Sequence, residues 1–70
     1  MLNLNVELFR EILKRNNLSI TRFSKEVGFS RDTVNNWIYK KNRINRWRAE
    51  VIGEYLKEVL KEDIKNLFYE

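Results

Sequence analysis

Apolar side chains recur along this chain at intervals of three and four, the period of helices with one buried face. Val6, Phe9, Ile12 and Leu13 predict a first amphipathic helix over about 6–15, with Asn5 as its cap. Asn16-Asn17 closes it, because asparagine tolerates left-handed geometry, and Leu18 folds back as a core plug. Ser19 opens a second helix over about 20–27, on which Ile20, Phe23 and Val27 share a face. Gly28 follows, where a left-handed residue ends a helix at no steric cost. Phe29 plugs the turn and Ser30 caps a third helix over about 31–40, buried through Val34 and Trp37.

Beyond a basic loop, Ile44 turns inward and Asn45 caps a fourth helix over about 46–60. Trp47, Val51, Ile52, Tyr55, Leu56, Val59 and Leu60 keep its helical period. Gly53 interrupts it at a cost of about 1 kcal/mol relative to alanine, which implies close approach of a neighbouring helix. Asp63 caps a short fifth helix carrying Ile64, Leu67 and Phe68, unless the fourth helix runs on without a break. No strand is expected: there is no proline, there are only two glycines, and no run is expected to alternate apolar and polar residues in the strand manner. The expected fold class is all-α, a compact domain of four or five helices spanning 1–70, with no linker, repeat or low-complexity segment.

Seventy residues lie near the lower limit for a self-supporting core. Cysteine and histidine are both absent, which removes disulfides, the commonest general base and the usual zinc ligands. No apolar run approaches a membrane span or the core of a signal peptide. No catalytic residue, metal, cofactor or small-molecule ligand is indicated, and an enzyme is the least favoured class. The make-up is compatible with a reducing cytoplasm.

Charge changes the picture by its position. Residues 1–13 carry a net −1, residues 14–48 a net +8, and residues 49–70 a net −3, together the chain's +4. A positive middle between acidic ends implies a polyanion-binding surface on one side of the molecule. Glu50, Glu54, Glu58 and Glu62 recur every fourth residue as a solvated acidic stripe, partly compensated by Lys57, Lys61 and Lys65. Such a stripe is repelled by a polyanion and faces away from it.

Counted from Ile20, an apolar residue stands fourth (Phe23), a small one fifth (Ser24) and glycine ninth (Gly28). Apolar residues stand eighth, tenth, fifteenth and eighteenth: Val27, Phe29, Val34 and Trp37. This pattern resembles the helix-turn-helix of the lambda repressor and Cro superfamily, also called the Xre-type family, and the likeness runs from about Val6 to Leu60. There are departures. Ser24 replaces the usual alanine, and Ile20 replaces a glutamine that helps clamp a phosphate. Leu13 and Ile38 stand where many members have a buried arginine and glutamate, a joint replacement that is energetically acceptable.

The resemblance implies a DNA reader whose third helix contacts bases through Arg31, Asp32, Asn35 and Asn36. The residue types suit that role. Guanidinium matches guanine O6 and N7, carboxamide matches adenine N6 and N7, and a carboxylate accepts from cytosine N4. Asp32 has two structural readings as well, orienting Arg31 or favouring the positive end of the helix. Amides at the start of the second helix, with Thr21 and Arg22, are one candidate phosphate site. Lys40, Lys41, Asn42 and Arg43 are a second, which Arg46 extends.

Phe23, Phe29 and Trp37 sit at core spacing, which disfavours a stacking platform for single strands; Trp47 is left open between the groove rim and a partner subunit. The expected function is that of a stand-alone, Cro-like repressor of phage, mobile-element or chromosomal type, cytoplasmic and nucleoid-associated. It binds double-stranded DNA as a homodimer, with the C-terminal apolar residues Tyr55, Val59, Ile64, Leu67, Phe68 and Tyr69 forming either the interface or the monomer's own core. The alternatives are a helical protein-interaction module, of antirepressor or antitoxin type, and a non-specific nucleoid-binding protein.

Overall fold

Side-chain caps begin all four α-helices in the computed structural model, which describes residues 1–70. Asn5 Oδ1 accepts from the Leu8 amide at 3.2 Å and starts α1, Val6–Arg15. Ser19 Oγ accepts from the Arg22 amide at 3.1 Å and starts α2, Ile20–Val27. Ser30 serves α3, Arg31–Tyr39, by accepting from the Thr33 amide at 3.1 Å. Asn45 serves α4, Arg46–Glu54, through the Arg48 amide at 3.0 Å. Each cap satisfies an amide that the helix itself leaves without a partner.

The ends follow the same logic. Asn17 (φ 54°) and Gly28 (φ 81°) take the left-handed conformation that stops α1 and α2. α4 does not stop at Glu54. It widens into a π-helical turn over Tyr55–Val59, in which the Leu60 amide reaches the Tyr55 carbonyl at 3.3 Å. Lys61 (φ 58°) then turns the chain away.

The C-terminal segment corrects the expected fifth helix, and the uninterrupted run-on as well. Asp63 accepts from the amide of Lys65, two residues on, at 2.9 Å, which makes a turn instead of a helix cap. Asn66 is left-handed at φ 70°. The chain straightens into a short strand, Phe68–Tyr69, antiparallel to Asn3–Leu4. These two strands, β2 and β1, correct the expectation that the chain has none. The signal was present in Leu2-Asn3-Leu4-Asn5-Val6, where apolar and polar residues do alternate. A run so short is stabilised by what it pairs with, not by its own pattern.

β1 ties three distant parts together. Leu2 and Ile44 exchange both backbone hydrogen bonds at 2.7 Å, and the Asn5 amide donates to the Leu67 carbonyl at 2.7 Å. Asn3 and Asn5 side chains add bonds to the carbonyls of Glu70 and Asn66. The molecule remains mostly helical, and this seam is a minor part of it.

The core draws on every element. Phe9 and Ile12 from α1, Phe23 from α2, Val34 from α3, Ile52 and Leu56 from the last helix, and Ile44 and Leu67 from the loops are all fully buried. Phe23 packs edge-on against Phe9 and Tyr55, with centroids 5.1 and 5.7 Å away. Leu13 and Ile38 are both buried, so apolar packing occupies the places of the missing ion pair. Ser24 is buried too, its hydroxyl donating to the Ile20 carbonyl at 2.8 Å. The tight spot beside Gly53 is made by the returning C-terminal segment, not by a neighbouring helix. A Cβ there would lie 3.1 Å from Ile64 Cδ1 and 3.7 Å from Phe68 Cε2. Of the C-terminal apolar residues, Leu67 belongs to the core, Tyr55, Ile64 and Phe68 pack against it, and Val59 and Tyr69 stay exposed.

Candidate nucleic-acid interface

α3 presents a polar face because its aliphatic residues and Trp37 are spent on the core. Val34, Trp37 and Ile38 point inward. Arg31 and Asp32 are exposed in the first turn, and Asn35 and Asn36 are half-buried one turn later. Tyr39 continues that side and is 64% exposed. The four residues proposed from the sequence as base contacts therefore lie on non-core positions of one helix. Asp32 forms no ion pair with Arg31, the sole salt bridge being elsewhere. Its carboxylate stands at the helix N-terminus, where negative charge is favoured.

The two groups of residues expected from the sequence to meet phosphates flank this helix. At the start of α2, Ser19 takes up the Arg22 amide and leaves those of Ile20 and Thr21 without a helical acceptor. Thr21 and Arg22 are exposed beside them. After α3, Lys40, Lys41, Asn42 and Arg43 are all exposed. This basic loop is nevertheless fixed at both ends. The amides of Lys40 and Asn42 both donate to the Asn36 carbonyl, at 3.2 and 3.1 Å, and Ile44 is buried and bonded to Leu2. Lys41 is held left-handed at φ 53°, a conformation that usually favours glycine or asparagine. Its ammonium group thus sits on a strained, ordered backbone.

Aromatic side chains lock the turn between α2 and α3. Phe29 meets Trp37 and Trp47 edge-on, with centroids 5.7 and 5.8 Å away. The Arg48 guanidinium lies 5.6 Å from the Phe29 ring centre and 5.4 Å from that of Trp47. Its Nε is buried without a hydrogen-bond partner, so two ring faces compensate the charge. Arg48 is therefore part of the scaffold, which its place in a basic run did not reveal. Trp47 remains 56% exposed beside it. Phe23 and Trp37 are buried and supply no stacking platform.

A bend at Gly28, a capped polar helix after it, and basic groups on either side complete a helix-turn-helix. The family model for the Cro/C1-type HTH DNA-binding domain matches residues 9–62. The chain belongs to this family. No curated protein and no solved structure matches it. Membership of the Cro/C1-type family makes the chain a DNA-binding domain, and the matched stretch contains α2, α3 and the basic loop.

The groups with displaced titration lie away from α3. Glu62 is held below the usual carboxylate range by hydrogen bonds from Arg15 and Asn16, and Arg15 is raised in turn. Burial, with Glu26 nearby, raises the Tyr55 hydroxyl. Glu62 thus departs from the expected solvated stripe. It bonds Arg15 at 2.6 Å and Asn16 at 2.9 Å, while Lys57, Lys61 and Lys65 form no ion pair. Glu50, Glu54 and Glu58 are exposed as expected. No helix is long and apolar enough to cross a membrane.

Proposed function

We propose that this protein is a transcriptional regulator, a Cro-like repressor, that reads a specific sequence in double-stranded DNA by placing α3 in the major groove. The observation that carries the reading is the polar side of α3, set between the exposed start of α2 and the exposed basic loop. Arg31, Asp32, Asn35 and Asn36 read base edges, each good bidentate contact giving about 1–3 kcal/mol of discrimination. Thr21 and Arg22, and Lys40, Lys41, Asn42 and Arg43, hold the two stretches of backbone on either side. Residues 1–70 work as one unit in the cytoplasm, at the nucleoid, on genes of phage, mobile-element or chromosomal type.

The working form is a homodimer, since a two-fold pair spans half-sites one helical turn apart, about 34–36 Å. Trp47, Val51, Val59 and Tyr69 are among the exposed apolar side chains and are available for that contact.

Selection from a random duplex pool tests the reading. A recovered palindrome supports both specificity and two-fold symmetry, whereas equal affinity for all duplexes favours non-specific binding. Arg31→Ala then loses preference for the recovered site over a scrambled one but keeps salt-sensitive binding. Intact preference in that variant overturns the role given to Arg31.

A further inference from the structure

α1 lies outside the two groups of residues proposed above to hold phosphates, yet one of its arginines reaches the end of the reading helix. The Arg10 guanidinium sits 5.0 Å from the ring centre of Tyr39. Tyr39 follows Asn35 by four residues and Asn36 by three, so it shares their side of α3. Arg10 thereby extends the polar side of α3 with a cation from a different element. The ring attracts the guanidinium without using its hydrogen-bond donors, which are left free to meet an anion. Arg10 has no carboxylate partner, because the molecule's one ion pair is Arg15 with Glu62.

Arg10 also borders a groove of about 660 Å³ between the N-terminal half of α1 and the basic loop, shared with Asn5, Trp37, Lys41 and Asn42. Glu7 is the one acid on that wall, against two cations. A planar fork of donors, an ammonium group and carboxamides around one open groove are the set that receives a phosphodiester.

We infer that this groove carries the phosphate-binding place of the basic loop onto α1, so that Arg10, posed by Tyr39 and joined by Lys41, holds the DNA backbone where it passes the C-terminal end of α3. This rests on the DNA-reading function proposed above and adds α1 to the surface that contacts DNA.

The test is titration of a labelled mixed-sequence duplex with the full chain over a series of salt concentrations. For Arg10→Ala, the slope of log affinity against log salt becomes shallower by about 0.9, the value of one lost phosphate contact. Arg10→Lys retains most of that slope, since the charge persists. Tyr39→Phe keeps it, because the ring that attracts the guanidinium is still there. Tyr39→Leu flattens it partway, because the guanidinium is no longer held. A helical circular-dichroism spectrum and unchanged melting show that each variant is folded, and Arg10→Gln, which removes the charge but keeps a long polar side chain, carries the test if the alanine variant is not.

A wild-type slope in Arg10→Ala overturns the inference while leaving the DNA-reading function intact. Absence of any duplex binding by the wild-type chain in dilute buffer overturns that function, and this inference with it. A further arm uses inorganic phosphate at matched ionic strength. If phosphate displaces duplex from wild type but not from Arg10→Ala, the two compete for the groove, as the inference requires. If phosphate binds wild type but not Arg10→Ala and displaces no duplex, the groove is a site for free phosphate and its assignment to the DNA backbone fails.

Discussion

The bihelical unit and the seam of chain ends are built in opposite ways. In α2 and α3, each determining contact is local: Ser19 with Arg22, Ser30 with Thr33, Gly28 between them. In the seam, Asn3 pairs with Tyr69, Leu4 with Phe68, and Leu2 with Ile44. Local contacts set the geometry of α3. Distant ones close the core beneath it and fix the far end of the basic loop, through Ile44. A small DNA-binding domain of this kind depends for its stability on residues far from α3.

The largest expected effect comes from breaking the seam. Leu67 is fully buried, and its carbonyl accepts from the Asn5 amide. Leu67→Ala removes buried methyl groups and leaves a cavity, at about 2–5 kcal/mol. That is a large share of the 5–15 kcal/mol that typically holds a domain. Urea denaturation followed by circular dichroism measures it through the midpoint at unchanged slope. A loss under about 1 kcal/mol would mean that the seam closes over the core without supporting it.

A change in the turn is smaller and of a different kind. Gly28 sits at φ 81° with nothing within 4 Å of where a Cβ would be. Gly28→Ala therefore meets no clash, and its cost is the left-handed backbone alone, about 1–2 kcal/mol. Gly28→Asn costs less, because asparagine visits that region more readily. Thermal unfolding of the two variants separates the effects, and equal losses would show that backbone conformation is not the cause. Comparison with Leu67→Ala then ranks a local determinant against a distant one in the same molecule.

That ranking parallels what was legible in the sequence. Caps at Asn5, Ser19, Ser30 and Asn45 act within three residues, so residue type and position sufficed to find them. The bounds of α1, α2 and α3 followed, and with them the polar side of α3 and the exposed basic loop. What escaped depends on partners far along the chain. The Asn3 amide group bonds a carbonyl 67 residues away, and Arg15 meets an acid 47 residues on. Nothing in Asp63-Ile64-Lys65 distinguishes a helix cap from a turn until β1 is there to receive Phe68. Arg10 and Arg48 escaped for the same reason. Each is defined by an aromatic ring, and for Arg10 that ring stands on another helix. Periodicity reports which side of a helix is buried, not what stands across from it.

The smallest expected effect belongs to the seam's exposed edge, and pH isolates it. Glu62 lies just beyond the end of the last helix and bonds Arg15 and Asn16 at the end of α1. Those bonds favour the carboxylate, so its folded pKa falls below the ordinary value of 4.5. Above that value both folded and unfolded chains are ionised and the stabilisation is fully present. As pH falls through the carboxylate range, the unfolded chain takes up the proton first and the stabilisation declines. Below the folded pKa it is gone. Wild type is therefore more stable than Glu62→Gln at neutral pH, and the difference vanishes in acid. Urea midpoints across a pH series at low salt measure this difference. Added salt shrinks it at neutral pH, since Arg15 is about half exposed and open to screening. A difference that holds constant from neutral pH into acid would instead assign the effect to a neutral hydrogen bond, which glutamine could not replace. In that case the seam would owe nothing to charge at this edge, and its strength would lie entirely in Leu67 and the strand pair beneath.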